Sequence, residues 1–179
     1  MSLILGIDPG SRKTGFGLIE AEGSQPRYIT SGIIRLPNKA LPERLHVIFE
    51  SISQIIAEYC PDEMAIEDVF FARDPRAALK LGQARGAAIV AGVAAGLAVS
   101  EYAARAVKQS VVGSGAANKE QVQHMVKQLL KLPGTPAEDA ADGLAIALCH
   151  AQTLRTVSRV APAGGVVSYS KGRLKVKSS

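Results

Sequence analysis

Four carboxylates stand where an apolar segment would otherwise run unbroken. Asp8 closes "LILGID", Glu67 lies near the end of "EMAIEDVF", and Asp139 and Asp142 fall within "EDAADGLAIALCH". Burying an acid is expensive unless it is paired, hydrogen-bonded or bound to a metal. With three histidines and two cysteines, none clustered, a zinc site is disfavoured. A set of hard oxygen ligands instead suits Mg²⁺ or Mn²⁺, which keep positions open for water and substrate phosphate. Each acid also has a plainer reading. Asp8 can form an Asx-type turn before Pro9-Gly10. Glu67 can be a salt-bridge partner, while Asp68 points to the other side of its strand and reads as a surface acid. In "TPAEDAADG", Thr135 reads as an N-cap, Pro136 as the first helical residue and Glu138 as the capping-box partner. Asp139 and Asp142 then read as lying beyond the first turn, too deep for capping, on the face that carries Ile146.

The elements that must position these acids follow from periodicity. "LILGID" is a buried strand stopped by "PGS", and "TGFGLIEAE" and "RYITSGIIRL" continue it as an antiparallel meander. Leu45, Ile48, Phe49, Ile52, Ile55, Ile56 and Tyr59 recur at helical spacing. "EMAIEDVF" is the next strand, 75 to 96 a helix rich in small residues, "VSEYAA" a strand, and 118 to 131 and 136 to 154 two further helices. Three leading antiparallel strands followed by alternating elements predict an α/β fold, a mixed five-stranded sheet with helices on both faces. Residues 1 to 158 are expected to form one domain and 159 to 179 a flexible basic tail.

The net charge of +5 resides in that tail, which holds five bases and no acid; the preceding residues balance at sixteen of each sign. Within them, Arg73 to Lys131 carries nine bases against three acids, a distribution suited to a polyanion, although a solvated helix surface explains it equally well. The longest apolar stretch, "GAAIVAGVAAGLAVS", is shorter than the ~20 residues of a membrane span, so no membrane partner is expected. No signal peptide is apparent, and a cytoplasmic location follows, with Cys60 and Cys149 as buried free thiols. "GSRKTGFG" places Phe16 where a phosphate loop needs Lys, and "GSGAAN" lacks the last glycine of a dinucleotide fingerprint. His46, His124 and His150 read as packed or surface residues of helices.

In order along the chain, "LGIDPGSRKTGFGLI", "AIEDVFFARDPRAALKLGQARGAAI", "EYAARAVKQSVVGSGAANKEQVQHMV" and "DAADGLAIA" closely resemble the RuvC family of bacterial Holliday-junction resolvases, over about residues 3 to 152. The resemblance implies a ribonuclease H-like fold and a homodimer that cuts two strands of a four-way DNA junction. It further implies two Mg²⁺ per site, with Mn²⁺ able to substitute, and the RuvA–RuvB branch-migration complex as a partner. The family's catalytic acids fall on Asp8, Glu67, Asp139 and Asp142, the same four singled out above. Its DNA-contacting lysines fall on Lys108 and Lys119, and its junction-probing aromatic on Phe70, for which a core position is the alternative. Arg73, Arg76 and Lys80 are further candidate DNA contacts. Gly82 and Gly86 are candidates for a dimer interface or for close packing on the chain's own sheet. The chain departs from the family's "IEQVF" at Asp68, and from its usual loop at Pro75 and Arg76. A binding module without chemistry is disfavoured because all four acids are intact. An actin-like ATPase or sugar kinase shares the look of "GIDPGS" but needs a second phosphate motif. Short resolvase-like RNA-processing nucleases share "IDPG" but would lack "KLGQARG".

Overall fold

Period-two alternation sorts the first strand between two cores. In the computed structural model, which describes residues 2–22, 25–68, 74–160, 166–170 and 173–177, strand β1 (Ser2–Asp8) sends Leu5 and Ile7 to one side and Ile4 and Gly6 to the other. Strands β2 (Lys13–Glu22) and β3 (Gln25–Arg35) continue it as an antiparallel meander. Strands β4 (Glu63–Asp68) and β5 (Ala98–Ala103) add in parallel on its other side, giving the order β3-β2-β1-β4-β5. Helices α1 (Leu41–Tyr59) and α2 (Pro75–Ala94) cover the Leu5 and Ile7 face with Ile48, Ile52, Ala84, Ala88 and Ala91. On the Ile4 face lie α3 (Ala104–Val112), α4 (Lys119–Leu129) and α5 (Glu138–Val160). The mixed five-stranded sheet with helices on both faces is therefore as the sequence predicts.

Glycine sets how closely α5 lies on the sheet. A Cβ at Gly17 would sit 2.5 Å from the Leu144 nitrogen, and one at Gly143 2.6 Å from the Phe16 carbonyl carbon. Cβ atoms at Gly6 and Gly15 would collide with the carbonyl oxygens of Gly143 and Asp139. Strand and helix backbones thus touch directly, and α5 is drawn down until its acids reach the level of the strand ends.

A buried polar chain fastens the same helix farther along. The fully enclosed His150 of α5 shares a hydrogen bond of 2.7 Å between Nδ1 and the Tyr102 hydroxyl, and its Nε2 lies 2.9 Å from Glu63 Oε2. Hydrogen bonding by His150 holds the Glu63 carboxyl below its ordinary range. A lowered carboxylate pKa stabilises the fold above the unfolded value of 4.5, and that contribution fades as pH falls through the lower folded value. We expect His150→Ala to lower the unfolding free energy by about 2–4 kcal/mol, because it opens a cavity and removes the hydrogen bonds His150 makes with Tyr102 and Glu63. Denaturant unfolding checks this, and a loss below about 1 kcal/mol contradicts it.

The structure departs from the sequence reading in several places. Helix α3 is an addition: it follows β5 without a side-chain cap and ends after nine residues at Gly113, where φ is +81°. With neither capping chemistry nor length, it leaves little periodic signal. Helix α5 begins at Glu138, with the Ala141 amide donating to the Ala137 carbonyl, so Thr135 and Pro136 precede it and the expected capping box does not form. Asp139 consequently lies in the first turn, not beyond it, and only Asp142 is past capping range. Cys149 is buried as expected, but Cys60 is exposed, since it terminates α1 in the left-handed region (φ 48°). In the basic C-terminal segment, strands β6 (Val166–Ser170) and β7 (Arg173–Lys177) form an antiparallel pair. No helix among the described residues is long and apolar enough to cross a membrane.

Candidate active site

Asp8 and Glu67 meet because parallel strands carry them to the same height on the same face. The register pairs Ile7 with Ile66, so the next residues, Asp8 and Glu67, end β1 and β4 side by side. Alternation turns both toward α5, with Ile4 and Ala65. Asp142 arrives from α5, one turn before Ile146. These three acids line one cavity of about 330 Å³, together with Lys108 of α3 and Lys119 of α4. The loop after Asp8 is held by Thr14, whose buried hydroxyl lies 3.4 Å from both the Gly10 amide and the Gly10 carbonyl.

Desolvation and mutual repulsion outweigh the two lysines in the electrostatics of the three acids. Burial first, then a hydrogen bond and repulsion from Glu67, push the Asp8 carboxyl up to about 8. Burial and the neighbouring Asp8 raise Asp142 to about 6. Glu67 is also raised, by burial foremost, although the hydrogen bond from Asp8 opposes this. Asp8 and Glu67 are thus hydrogen-bonded to each other. Among the described residues no three acidic, histidine or cysteine side chains close into a ready metal cage. A hard divalent cation fits this donor set, since its charge would relieve the repulsion among three desolvated oxygen donors.

Asp139 stands at the rim. Its Oδ2 lies 3.4 Å from Lys13 Nζ, it does not line the cavity, and its charge still bears on Asp8 and Asp142. Lys119 forms an ion pair with Glu138, which raises the lysine pKa and keeps it charged beside the acids. Asp68 points away, 3.5 Å from Arg85 Nη2, and Arg85 also pairs with Glu101 and donates to the Glu67 carbonyl at 3.1 Å. The extra charge at Asp68 is therefore paired with Arg85 on the far side of the strand. Arg76 and Lys80 line a separate cavity. Phe70 and Arg73 lie outside the described residues. His46 and His124 line none of the cavities that hold these candidates.

A methyl group at Gly82 or Gly86 would meet nothing within 4 Å, so close packing on the chain's own sheet is not their role. They lie on a stripe of α2 that also exposes Leu79, Val90 and Val93 at 70%, 57% and 58%. Sequence reasoning missed Lys13, Arg85 and the tight glycines of β2. For the glycines a signal was present: Gly15 and Gly17 alternate along a strand, which marks close approach of another backbone.

A five-stranded mixed sheet with acids on its two central strands and on the last helix places the molecule among the ribonuclease H-like nucleases. The family model described as "Crossover junction endodeoxyribonuclease RuvC" matches residues 4–150. The chain is 59% identical over 175 residues to the crossover junction endodeoxyribonuclease RuvC of Tolumonas auensis, covering 98% of this chain and all of that one. It is 58% identical to the RuvC of Marinobacter nauticus, over 97% and 99% of the two chains. Among solved structures, T. thermophilus RuvC in complex with a Holliday junction substrate superposes with a TM-score of 0.82 at 34% identity, covering 87% and 96% of the chains. The chain belongs to the RuvC family of crossover junction endodeoxyribonucleases.

Proposed function

We propose that this chain resolves four-way DNA junctions by paired, symmetric nicking in recombination and repair. The observation that carries this is the convergence of Asp8, Glu67 and Asp142 with Lys108 and Lys119 on one cavity. Asp8, Glu67, Asp139 and Asp142 are the residues that would hold divalent metal; two Mg²⁺ per site is the expected complement, with Mn²⁺ as a substitute. Such ions, when bound, activate a water for in-line attack on the scissile phosphate and stabilise the leaving 3′-oxygen. Asp8 would hold metal together with Glu67 and Asp142, since it interacts with both. Lys13 holds Asp139 at the rim, from where it would serve as a further oxygen donor to a divalent cation. Lys108 and Lys119 bind the flanking phosphates and fix the strand without reading sequence. Phe70, two residues past Asp68, stacks on an unpaired base at the crossover.

Paired cutting requires two sites, and the exposed stripe of Leu79, Gly82, Gly86, Val90 and Val93 supplies an isologous contact through which two copies associate. Val90→Glu is expected to shift the protein from dimer to monomer in sedimentation and to replace paired cuts by single nicks. A fully dimeric variant overturns this assignment of the interface. Residues 1–158 form the nuclease domain, with the basic 159–179 segment adding non-specific attraction to phosphate. A cytoplasmic setting and cooperation with the RuvA–RuvB complex accord with the family. The test is cleavage of a synthetic four-way junction with Mg²⁺ or Mn²⁺. Nicks at paired positions, with linear duplex largely spared, support the reading; binding without cleavage under either ion refutes it.

A further inference from the structure

A second cavity, of about 820 Å³, opens beside the catalytic one and is lined by five cations: Arg12, Lys39, Arg44, Arg76 and Lys80. They come from four places in the fold: the β1–β2 loop, the β3–α1 loop, α1 and α2. None of the five forms an ion pair among the described residues. Among the described residues the one acid on its wall, Asp74, is engaged in capping α2, accepting from the Arg76 amide at 3.0 Å. Arg44 donates from Nη1 to the Ser11 carbonyl at 2.8 Å, and its Nε is buried with no partner among the described residues. Five like charges gathered in one concavity repel one another, and a buried guanidinium nitrogen without an acceptor carries a desolvation cost. An anion held there relieves both.

Position selects the anion. The wall of this cavity and that of the catalytic one share two elements: Ser11 and Arg12 follow Pro9 on the same loop, and Lys80 precedes Leu81 on α2. Ser11 lies three residues beyond Asp8, at most ~11 Å along an extended chain. That span corresponds to roughly three nucleotides at ~3.4 Å of rise per phosphate.

We propose that this cavity is a phosphate-binding subsite that grips the DNA backbone within about three nucleotides of the scissile phosphate, with Arg12, Lys39 and Arg44 as new contacts. The inference rests on the junction-cleaving role given above. It adds a positioning contact outside the cavity that holds Lys108 and Lys119. An acidic protein partner is the competing occupant.

The test uses the full chain without divalent metal, binding a fluorescent four-way junction across a series of salt concentrations. Arg12 and Lys39 are exposed, so Arg12→Ala/Lys39→Ala leaves the fold intact. The double variant is expected to weaken binding about tenfold and to reduce the slope of log affinity on log salt by about two. Arg44→Gln, which keeps a donor for the Ser11 carbonyl, is expected to reduce the slope by about one. Neutral methylphosphonates placed one at a time around the cleavage position should weaken wild type within a window of about three nucleotides and leave the double variant indifferent there. With Mg²⁺, the double variant raises KM and leaves kcat near wild type. Wild-type affinity and slope in the double variant overturn the subsite and favour a protein occupant. Failure of wild type itself to bind the junction instead overturns the functional reading.

Discussion

Asp8→Asn is expected to reduce junction cleavage by about 10³-fold or more while making the metal-free protein more stable. The loss follows from removing a central oxygen donor from a site whose work is electrostatic stabilisation, where even one neutral donor is worth about 10²–10³-fold. The gain follows from linkage. Asp8 has a folded pKa of about 8 against an ordinary value of 3.8, so the folded state holds its proton more tightly than the unfolded state. Its contribution to stability is fully present below about pH 4 and is lost as pH rises toward 8. Asparagine avoids that loss. Near pH 8 the metal-free variant should therefore melt several degrees above wild type, as expected for a difference of one to a few kcal/mol in a chain of this size. The margin should close near pH 4, and Mg²⁺ should raise the wild-type melting temperature more than the variant's. Calorimetry at several pH values, with and without Mg²⁺, checks this; a variant less stable than wild type at pH 8 marks Asp8 as a structural acid.

Gly15→Ala is expected to damage the site without touching an acid. A methyl there meets the carbonyl oxygen of Asp139. The contact is backbone to backbone, so neither side can rotate away, and the start of α5 must lift from the sheet. Overpacking of this kind costs about 1–3 kcal/mol. Displacing reactive groups by about 1 Å costs about 10²-fold in rate. Both losses are expected together, measured by thermal unfolding and by junction cleavage. Gly134→Ala supplies the contrast, since its side chain enters open space. Equal tolerance of alanine at Gly15 and Gly134 contradicts the packing of α5 on bare strand backbone.

Much of the site was legible because each acid interrupts an apolar run. Asp8 and Glu67 end two strands, and strand alternation alone places each on a definite face. What the sequence left open is the meeting itself. The parallel pairing that sets Asp8 beside Glu67 is a long-range register, and the approach of Asp142 depends on four glycines whose meaning appears only with α5 in place. Asp139 illustrates the limit. Reading Thr135 and Pro136 as the helix start pushed it too deep, because local capping chemistry is outweighed by the packing that starts α5 at Glu138. His150, a plain helical histidine in sequence, acquires its role from Tyr102 and Glu63, which lie 48 and 87 positions away. The basic cavity was half visible: Arg76 and Lys80 stood out in a positive stretch, whereas Arg12, Lys39 and Arg44 are scattered singly and converge only through the fold.

The most direct test of junction resolution is the product distribution from a supercoiled plasmid that extrudes a cruciform. Two coordinated cuts across one junction release a linear molecule, whereas uncoordinated cutting leaves a relaxed nicked circle. With Mg²⁺, linear product is expected from the outset, with little nicked circle and no cutting of a plasmid that lacks the cruciform. Absence of cleavage with both Mg²⁺ and Mn²⁺, or equal cutting of the two plasmids, would contradict it.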